Sequence, residues 1–546
     1  MRHGHAPCCH PTGHPTADPS GLFHRGIPAS SPSAPSRPDA HFGNATKTSK
    51  DKTMTVLANP QRTTQQTPPA TAPAGNAPEG RGWFRAFLLR LHFYAGILAG
   101  PFLLIAALSG GLYALTPQLE QAVYAKELHV SAVAQPMPLS AQIKAAVDSA
   151  GGATPVAVRP APGSEDTTRV LFADPSLGES EYRTVFVNPG TGEIRGDLTT
   201  YGSSGALPMR TWISNLHRSL NLGEPGRIYS ELAASWLWVV ALGGLGLWID
   251  RIRRRRTSPQ KARPASGRAR TVWLHGTTGT VMLAAFLFLS ASGLTWSAHA
   301  GDNITALRTS LGWLTPTVST SLNGQASAPA GDHSSHGSGS APVSAAADPA
   351  AYDTVQGIAR ADIITAPMVD IKPPAAEGKA WTVTEAGREW PATASAVAID
   401  PETEKVTSRA DFKDFGLAAK LTRWAIAAHM GLLFGLPNQL VLLAVAAALA
   451  AMVVWGYVMW WKRRPTRGSA WAMGRPAPRG AFVRGHWAGI LTAITAMVLV
   501  GMFLPLLGWS LLGFILLDAA IAEAKHRRRR PLEPEPAVDP EQVPSR

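Results

Sequence analysis

Residues 92–115 read HFYAGILAGPFLLIAALSGGLYAL and contain no Asp, Glu, Lys or Arg. A helix needs about 20 predominantly apolar residues to cross the hydrocarbon core of a bilayer, so this stretch predicts a transmembrane helix. Four further stretches without these charged residues lie at 232–249, 274–296, 432–461 and 487–517. The chain is therefore predicted to form a membrane-embedded α-helical bundle.

The last apolar stretch is long and interrupted by Pro505 and Gly508. Since proline breaks a continuous helix, we interpret the stretch as two short spans joined near Pro505. A re-entrant segment is the alternative interpretation. The prediction is accordingly a bundle of five to six spans.

Composition excludes several classes of protein. Only 16% of the 546 residues are charged, whereas about a quarter is usual in soluble domains. The two cysteines, Cys8 and Cys9, are adjacent, and no C-x-x-C occurs. Disulfide scaffolds, zinc ribbons and covalently attached c-type haem are therefore excluded.

The net charge of +14 indicates how the chain is oriented, because basic residues cluster in the connections 251–270 and 462–484. Lys and Arg accumulate in short cytoplasmic loops, so both connections and both termini are predicted to be cytoplasmic. The connections 116–231 and 297–423 are long and mixed in charge, and are predicted to be translocated. A nucleic-acid surface is the rival interpretation of the arginine runs. The flanking apolar spans argue against it, and we expect no nucleic-acid partner.

Residues 1–80 are rich in His, Pro, Ala, Ser and Thr without apolar periodicity, which predicts a disordered leader. These residues contain no secretory h-region, so the first transmembrane helix is predicted to serve as the uncleaved insertion signal. A translation start at Met54 rather than Met1 is the alternative for the start of the chain. A soft-metal site is the alternative role of the leader residues His3, His5, Cys8, Cys9, His10 and His14. His333 and His336 in the loop 331–340 are interpreted first as linker residues and second as a weak metal site.

The chain contains an internal repeat. Ser109-Gly110 follows His92 by seventeen residues, and Ser292-Gly293 follows His275 by the same distance. His217 and His429 have the same neighbours at the same distances: tryptophan five residues before, glycine six and 27 residues after, and proline eight residues after each histidine. These matching offsets predict a tandem duplication of helix, external domain and helix, followed by a terminal hairpin.

Because both repeats enter and leave the membrane on the cytoplasmic side, equivalent residues are predicted to lie at equal depth. The duplication thus generates two histidine pairs, His92 with His275 near the inner face and His217 with His429 near the outer face. One imidazole from each repeat could bind a b-type haem from its two sides. Each histidine alone is more often an interfacial residue. His486 could replace a member of the inner pair, or be a snorkelling interface residue.

The external modules show short β-type runs at 155–158, 169–172 and 182–187, after an amphipathic helix at 139–150. A helix at 352–364 and strands at 380–384 and 395–399 repeat this scheme. Neither module contains a Ser/His/Asp, Cys/His or paired-carboxylate arrangement typical of hydrolases, so a binding or positioning role is expected.

The string LHRSLNLGEPG at 216–226, the segment 91–112 and YRTVFVNPGTGEI at 182–194 resemble the PepSY-associated transmembrane helix family of bacterial iron-regulated membrane proteins. The resemblance implies a multi-pass protein of the bacterial inner membrane with two small periplasmic α+β PepSY-like domains. Some members of that family are ferric-siderophore reductases that carry two b haems held by histidines.

By that resemblance, His92 and His275 would bind the iron of an inner haem, and His217 and His429 that of an outer haem. Arg218 would pair with a haem propionate. The second repeat has Met430-Gly431-Leu432 where the first has Arg218-Ser219-Leu220. The second repeat therefore has no equivalent of Arg218.

The predicted spans are 84–116, 216–250, 272–298 and 428–462, with a terminal hairpin at 486–522. Periplasmic domains occupy 117–215 and 299–427, basic cytoplasmic loops 251–271 and 463–485, the leader 1–80, and a cytoplasmic tail 523–546.

Two functional hypotheses follow. The first is a dihaem b oxidoreductase that passes electrons to a periplasmic ferric, siderophore-type acceptor. No flavodoxin-like or G-x-G-x-x-G segment is present, so electrons would come from quinol or a separate cytoplasmic reductase. The second is a non-catalytic, membrane-anchored PepSY binding or sensor protein in metal homeostasis. The metal concerned could be copper as well as iron.

Overall fold

The structure is a computed structural model that describes residues 83–256, 267–322, 347–400, 402–462 and 486–527. The leader, the histidine pair of the 331–340 loop and most of both basic loops lie outside the described residues. The helices are α1 (Trp83–Ala114), α2 (Thr116–Val123), α3 (Ala125–Leu128), α4 (Leu139–Ser149), α5 (Pro208–Ser219), α6 (Glu224–Arg256), α7 (Gly267–Val281), α8 (Leu283–Leu294), α9 (His299–Ser310), α10 (Pro349–Ala361), α11 (Leu417–His429), α12 (Leu436–Trp461), α13 (Trp487–Phe503) and α14 (Pro505–Arg527). The strands are β1 (Pro155–Arg159), β2 (Thr168–Phe172), β3 (Glu181–Val187), β4 (Ile194–Tyr201), β5 (Val369–Lys372), β6 (Trp381–Glu385), β7 (Ala396–Asp400) and β8 (Lys405–Ala410).

Three described helices, α1, α6 and α12, are long and apolar enough to cross a membrane. The helices α7 and α8 meet that criterion as a pair, with a bend of 59° between them. The residues before the bend, Gly276-Thr-Thr-Gly-Thr280, have low helix propensity. The described residues thus supply three to four candidate spans of a helical membrane protein.

The terminal apolar stretch is interrupted where proline predicts it. Helix α13 ends at Phe503 and α14 begins at Pro505, and both helices are apolar but shorter than the long spans. The hairpin docks on the bundle through an ion pair between the buried Arg90 of α1 and Asp518 of α14. Trp236 Nε1 of α6 also donates to Ser510 Oγ of α14 over 3.0 Å.

The two external modules, predicted as two small α+β domains, contribute their strands to one antiparallel sheet. Its strand order is β4-β3-β2-β1-β5-β6-β7-β8, so each repeat contributes four consecutive strands. The halves join where Val158 of β1 pairs with Ile371 of β5. This order is symmetric about the β1–β5 junction, so the two repeats contribute equivalent strands at equivalent positions.

The helices α4 and α10 pack against this sheet and against each other. Their apolar residues, including Ile143 and Val355, share one buried cluster with Val185 and Val397 of the strands. The predicted strands β1, β2, β3, β6 and β7 are confirmed, as are the helices α4 and α10.

In the bundle, α1 packs between α6 and α12. Small residues on α1, such as Ala95 and Ala99, are buried in the same cluster as Trp236 of α6 and Val445 of α12. Close packing on two sides holds α1, and with it His92, in a fixed position.

Candidate functional site: two histidine pairs

The inner pair forms as the repeat predicts. His92 of α1 and His275 of α7 have ring centres 6.2 Å apart, with their planes at 79°. An imidazole nitrogen lies about 2 Å from a metal that it binds, so two imidazoles on opposite sides of one ion have ring centres roughly 6 Å apart. The spacing suits both an edge-to-face contact and a shared metal ion.

Both inner histidines are oriented by a backbone carbonyl. His92 Nδ1 lies 3.0 Å from Val240 O, and His275 Nδ1 lies 3.1 Å from Met452 O. A carbonyl oxygen can only accept, so Nδ1 must carry the proton and in the neutral ring Nε2 keeps its lone pair. Val240 and Met452 stand at the same offset, 23 residues after His217 and His429 respectively, so the duplication repeats this support as well.

The outer histidines end two equivalent helices. His217 lies in the last turn of α5, and His429 is the last residue of α11. After α5, Leu220 and Asn221 adopt left-handed φ values of 54° and 55°. The LHRSLNLGEPG string therefore forms the tight turn that reverses the chain into α6.

A serine on the neighbouring helix orients each outer histidine. Ser109 Oγ lies 3.0 Å from His217 Nδ1, and Ser292 Oγ lies 2.6 Å from His429 Nδ1. Each serine hydroxyl also lies within donating distance of a carbonyl of its own helix, Ser109 of Ile105 O and Ser292 of Phe288 O. When the serine proton is donated there, the serine oxygen accepts from Nδ1–H, and the Nε2 lone pair is available.

Glycines allow the close approach of two of these rings. A Cβ at Gly110 would lie 3.0 Å from His217 Cε1, and a Cβ at Gly244 would lie 3.0 Å from His92 Cε1. The second repeat is looser, because a Cβ at Gly293 would lie 3.7 Å from His429 Cε1.

The donor set suits a haem better than a bare metal ion. Within the described residues, no group of three or more His, Cys, Asp or Glu side chains could bind an ion. Two imidazoles with free Nε2 atoms instead suit an iron whose remaining four ligands come from a macrocycle. All four histidine side chains are half-buried. Ala428, the residue before His429, lines an apolar cleft of about 360 Å³ together with Phe288.

The remaining predicted residues lie elsewhere. Arg218 is bound to the end of β4, where it donates to Tyr201 Oη over 2.8 Å and stacks on that ring. His486 is exposed and caps α13, because its Nδ1 accepts from the Ala488 N–H. The structure places His275 beside His92, so the alternative with His486 in the inner pair is not adopted.

Sequence reasoning missed a buried carboxylate in α6. Glu231 is 2% exposed and accepts hydrogen bonds from the backbone N–H groups of His299 and Ala300, at 3.0 and 2.9 Å. It thereby caps the first turn of α9. An acidic residue at the edge of an apolar run was the available signal, but the predicted apolar stretch began one residue later.

The fold and the paired histidines define a helical membrane protein with a duplicated core and an external sheet. The chain belongs to the family of the PepSY-associated TM region, whose family model matches residues 89–463. Among curated proteins, the comparison found no match.

Proposed function

We propose that the protein is an inner-membrane dihaem b oxidoreductase of five to six spans that passes electrons to a periplasmic ferric, siderophore-type acceptor. The observation that carries this proposal is the repeated orientation of four histidines. Each Nδ1 lies 2.6–3.1 Å from an oxygen of a neighbouring helix, and donation of Nδ1–H to that oxygen leaves Nε2 free to bind a metal.

When bound, a b haem supplies reversible one-electron chemistry at its iron. The protein's contribution is to position and tune the axial ligands. The carbonyls of Val240 and Met452 and the hydroxyls of Ser109 and Ser292 fix the tautomer and the rotation of each ring, and they increase the basicity of the ligand. The apolar helices around the rings keep water from them.

The order of the pairs along the bundle supports transfer across the membrane. His92 lies against Gly244, in the half of α6 that ends at Arg256, and His217 lies in the last turn of α5, the helix that follows β4 of the sheet. Quinol or a separate cytoplasmic reductase would supply the electrons, and the sheet domain would face the acceptor in the periplasm.

The test is anaerobic reduction of a ferric hydroxamate chelate by inverted and right-side-out membrane vesicles that contain the full-length protein. We expect quinol-dependent reduction with the chelate on the sheet side, and its loss in His217→Ala. A folded, colourless protein without reductase activity would favour the alternative, a membrane-anchored PepSY binding or sensor protein.

A further inference from the structure

The apolar cleft of about 360 Å³ lies between α8 and the start of α12, in the second repeat. Phe288, Phe434 and Val445 are among the apolar residues that line it. Of the described residues in its lining, Asn438 alone has a polar side chain. A concave apolar site with one or a few polar groups is typical of sites that bind small molecules.

The cleft lies beyond the bend that separates α7 from α8. Helix α7 packs against α12, whereas beyond the 59° bend α8 packs against α6 and α11. The corresponding helix of the first repeat, α1, is continuous and packs against α6. The cleft is therefore a place where the two repeats differ.

Two aromatic rings occupy the equivalent place in the first repeat. Counted from the paired histidines, Ala285 of the cleft stands where the first repeat has Phe102. Val441 of the cleft likewise stands where the first repeat has Tyr229. The two rings of the first repeat have centroids 4.5 Å apart, and Tyr229 Oη donates to Phe102 O over 3.0 Å. The smaller side chains of the second repeat leave a space that suits an aromatic ring.

The amide of Asn438 is also specific to the second repeat. The first repeat has Gly226 at this position, where a Cβ would lie 1.6 Å from Ser219 O, so no side chain fits there. Asn438 Nδ2 donates to Ala428 O over 3.0 Å. Since a carbonyl oxygen can only accept, this bond fixes which end of the amide carries the nitrogen.

The other end of that amide lacks a partner. Asn438 Oδ1 is buried without a hydrogen-bond partner among the described residues. A buried acceptor that stays unpaired costs free energy. A ligand in the cleft that carries an O–H group would supply the missing donor.

Both walls of the cleft are connected to His429. On one side, Ala428 directly precedes His429 in α11. On the other side, Phe288 O accepts from Ser292 Oγ over 2.6 Å, and Ser292 Oγ lies 2.6 Å from His429 Nδ1. A ligand in the cleft would therefore lie next to the outer histidine pair.

We propose that the cleft binds the ring of an isoprenoid quinol, which donates electrons at the outer pair. A quinol ring would fill the space that Phe102 and Tyr229 fill in the first repeat. One of its phenolic O–H groups would donate to Asn438 Oδ1, and its apolar tail would stay in the hydrocarbon core of the bilayer. The acyl chain of a phospholipid offers neither a ring nor a donor.

The redox role of this site rests on the proposed function. Oxidation of one quinol breaks its two O–H bonds and yields a quinone, two protons and two electrons. The protons leave to the aqueous side next to the outer pair, and the two electrons reduce two ferric acceptors to the ferrous state. Binding beside the outer pair favours quinol over a cytoplasmic reductase as the electron donor.

The experiment fills the cleft with a ring from the first repeat. Ala285→Phe adds the ring to the lining, and the matched control Ala284→Phe adds it at the neighbouring, exposed position of α8. Thermal unfolding of the purified full-length proteins is titrated with decylubiquinol under anaerobic conditions. We expect a saturable rise in Tm in the wild type and in Ala284→Phe, and its loss in Ala285→Phe. If Ala285→Phe fails to fold, Val441→Tyr takes its place.

Asn438→Leu tests the hydrogen bond to the ligand. The apparent Kd of decylubiquinol should rise roughly tenfold, the value of about one hydrogen bond. The oxidised probe, decylubiquinone, has no O–H group, so its apparent Kd should stay the same. An equal change for both probes would overturn the role of Asn438 Oδ1 as the acceptor.

An equal response to decylubiquinol in Ala285→Phe and Ala284→Phe would overturn the proposal, as would no response in the wild type. A phospholipid that co-purifies with the wild type and is missing from Ala285→Phe, without a response to decylubiquinol, would show that a lipid fills the cleft and would also overturn it. Haem content separates this inference from the proposed function. A colourless protein that binds decylubiquinol in the cleft would refute the dihaem function alone, and a protein with two haems that does not bind decylubiquinol would refute the quinol site alone.

Discussion

Gly110 is the residue at which a single methyl group tests the outer site. A Cβ there would lie 3.0 Å from His217 Cε1, whereas a Cβ at Gly96 on the same helix would meet nothing within 4 Å. We expect Gly110→Ala to turn the His217 ring and lower haem occupancy by about half, since only the outer site is affected. The haem-to-protein ratio, determined by absorbance, measures this. Equal ratios in Gly110→Ala and Gly96→Ala would contradict the proposed ligand geometry.

Glu385 makes the stability of the sheet depend on pH. Its carboxylate accepts from the N–H groups of Thr365, Ala366 and Ser395 at 3.0–3.1 Å. Burial opposes ionisation, but the hydrogen bonds, led by that from Thr393, hold the pKa of Glu385 below its usual range. The ionised form is thus favoured by folding, so its contribution is complete above the unfolded pKa of about 4.3 and is lost as pH falls through the lower folded pKa.

We therefore expect Glu385→Gln to lower Tm at pH 7 and to flatten the fall of Tm between about pH 5 and pH 3. The exposed Glu402→Gln is the control, and thermal unfolding at a series of pH values is the measurement. If Tm fell with pH in both variants as it does in the wild type, titration of Glu385 would not be the cause of the loss of stability in acid.

At the scale of elements, one carboxylate connects the two halves of the sheet domain. Asp353 of α10 accepts from the backbone N–H groups of Leu139 and Ser140, at 2.7 and 3.2 Å, and so caps α4 of the other module. We expect Asp353→Ala to destabilise the protein by about 1 kcal/mol, as the loss of a helix cap does. Asp148→Ala, an exposed change in the last turn of α4, serves as the control in chemical denaturation. A smaller loss from Asp353→Ala than from Asp148→Ala would show that the cap does not hold the modules together.

The elements also show where local sequence patterns are sufficient. The strand β3 was predicted from its β-branched and aromatic run, and α4 and α10 from their amphipathic pattern. The strand β5 has only four residues, VDIK, and it becomes a central strand because β1 of the other module pairs with it. Such a long-range pairing leaves no local signal, so the single sheet could not be predicted.

At the scale of the whole molecule, the duplication is what made the histidine pairs predictable. Equal offsets placed His92 beside His275, and the same offsets recur in the oxygens that bind their Nδ1 atoms. Glu231 could not be found in this way, since only the folded chain brings α9 to its carboxylate.

The most direct test of the account is whether each histidine pair holds one haem. Reduced-minus-oxidised spectra of purified His217→Ala, His429→Ala and the double variant should each show one haem per protein, against two in the wild type. His92→Ala and His275→Ala should each retain the other haem. Loss of both haems from one outer substitution in a folded protein, or a stepwise further loss in the outer double variant, would contradict the pairing.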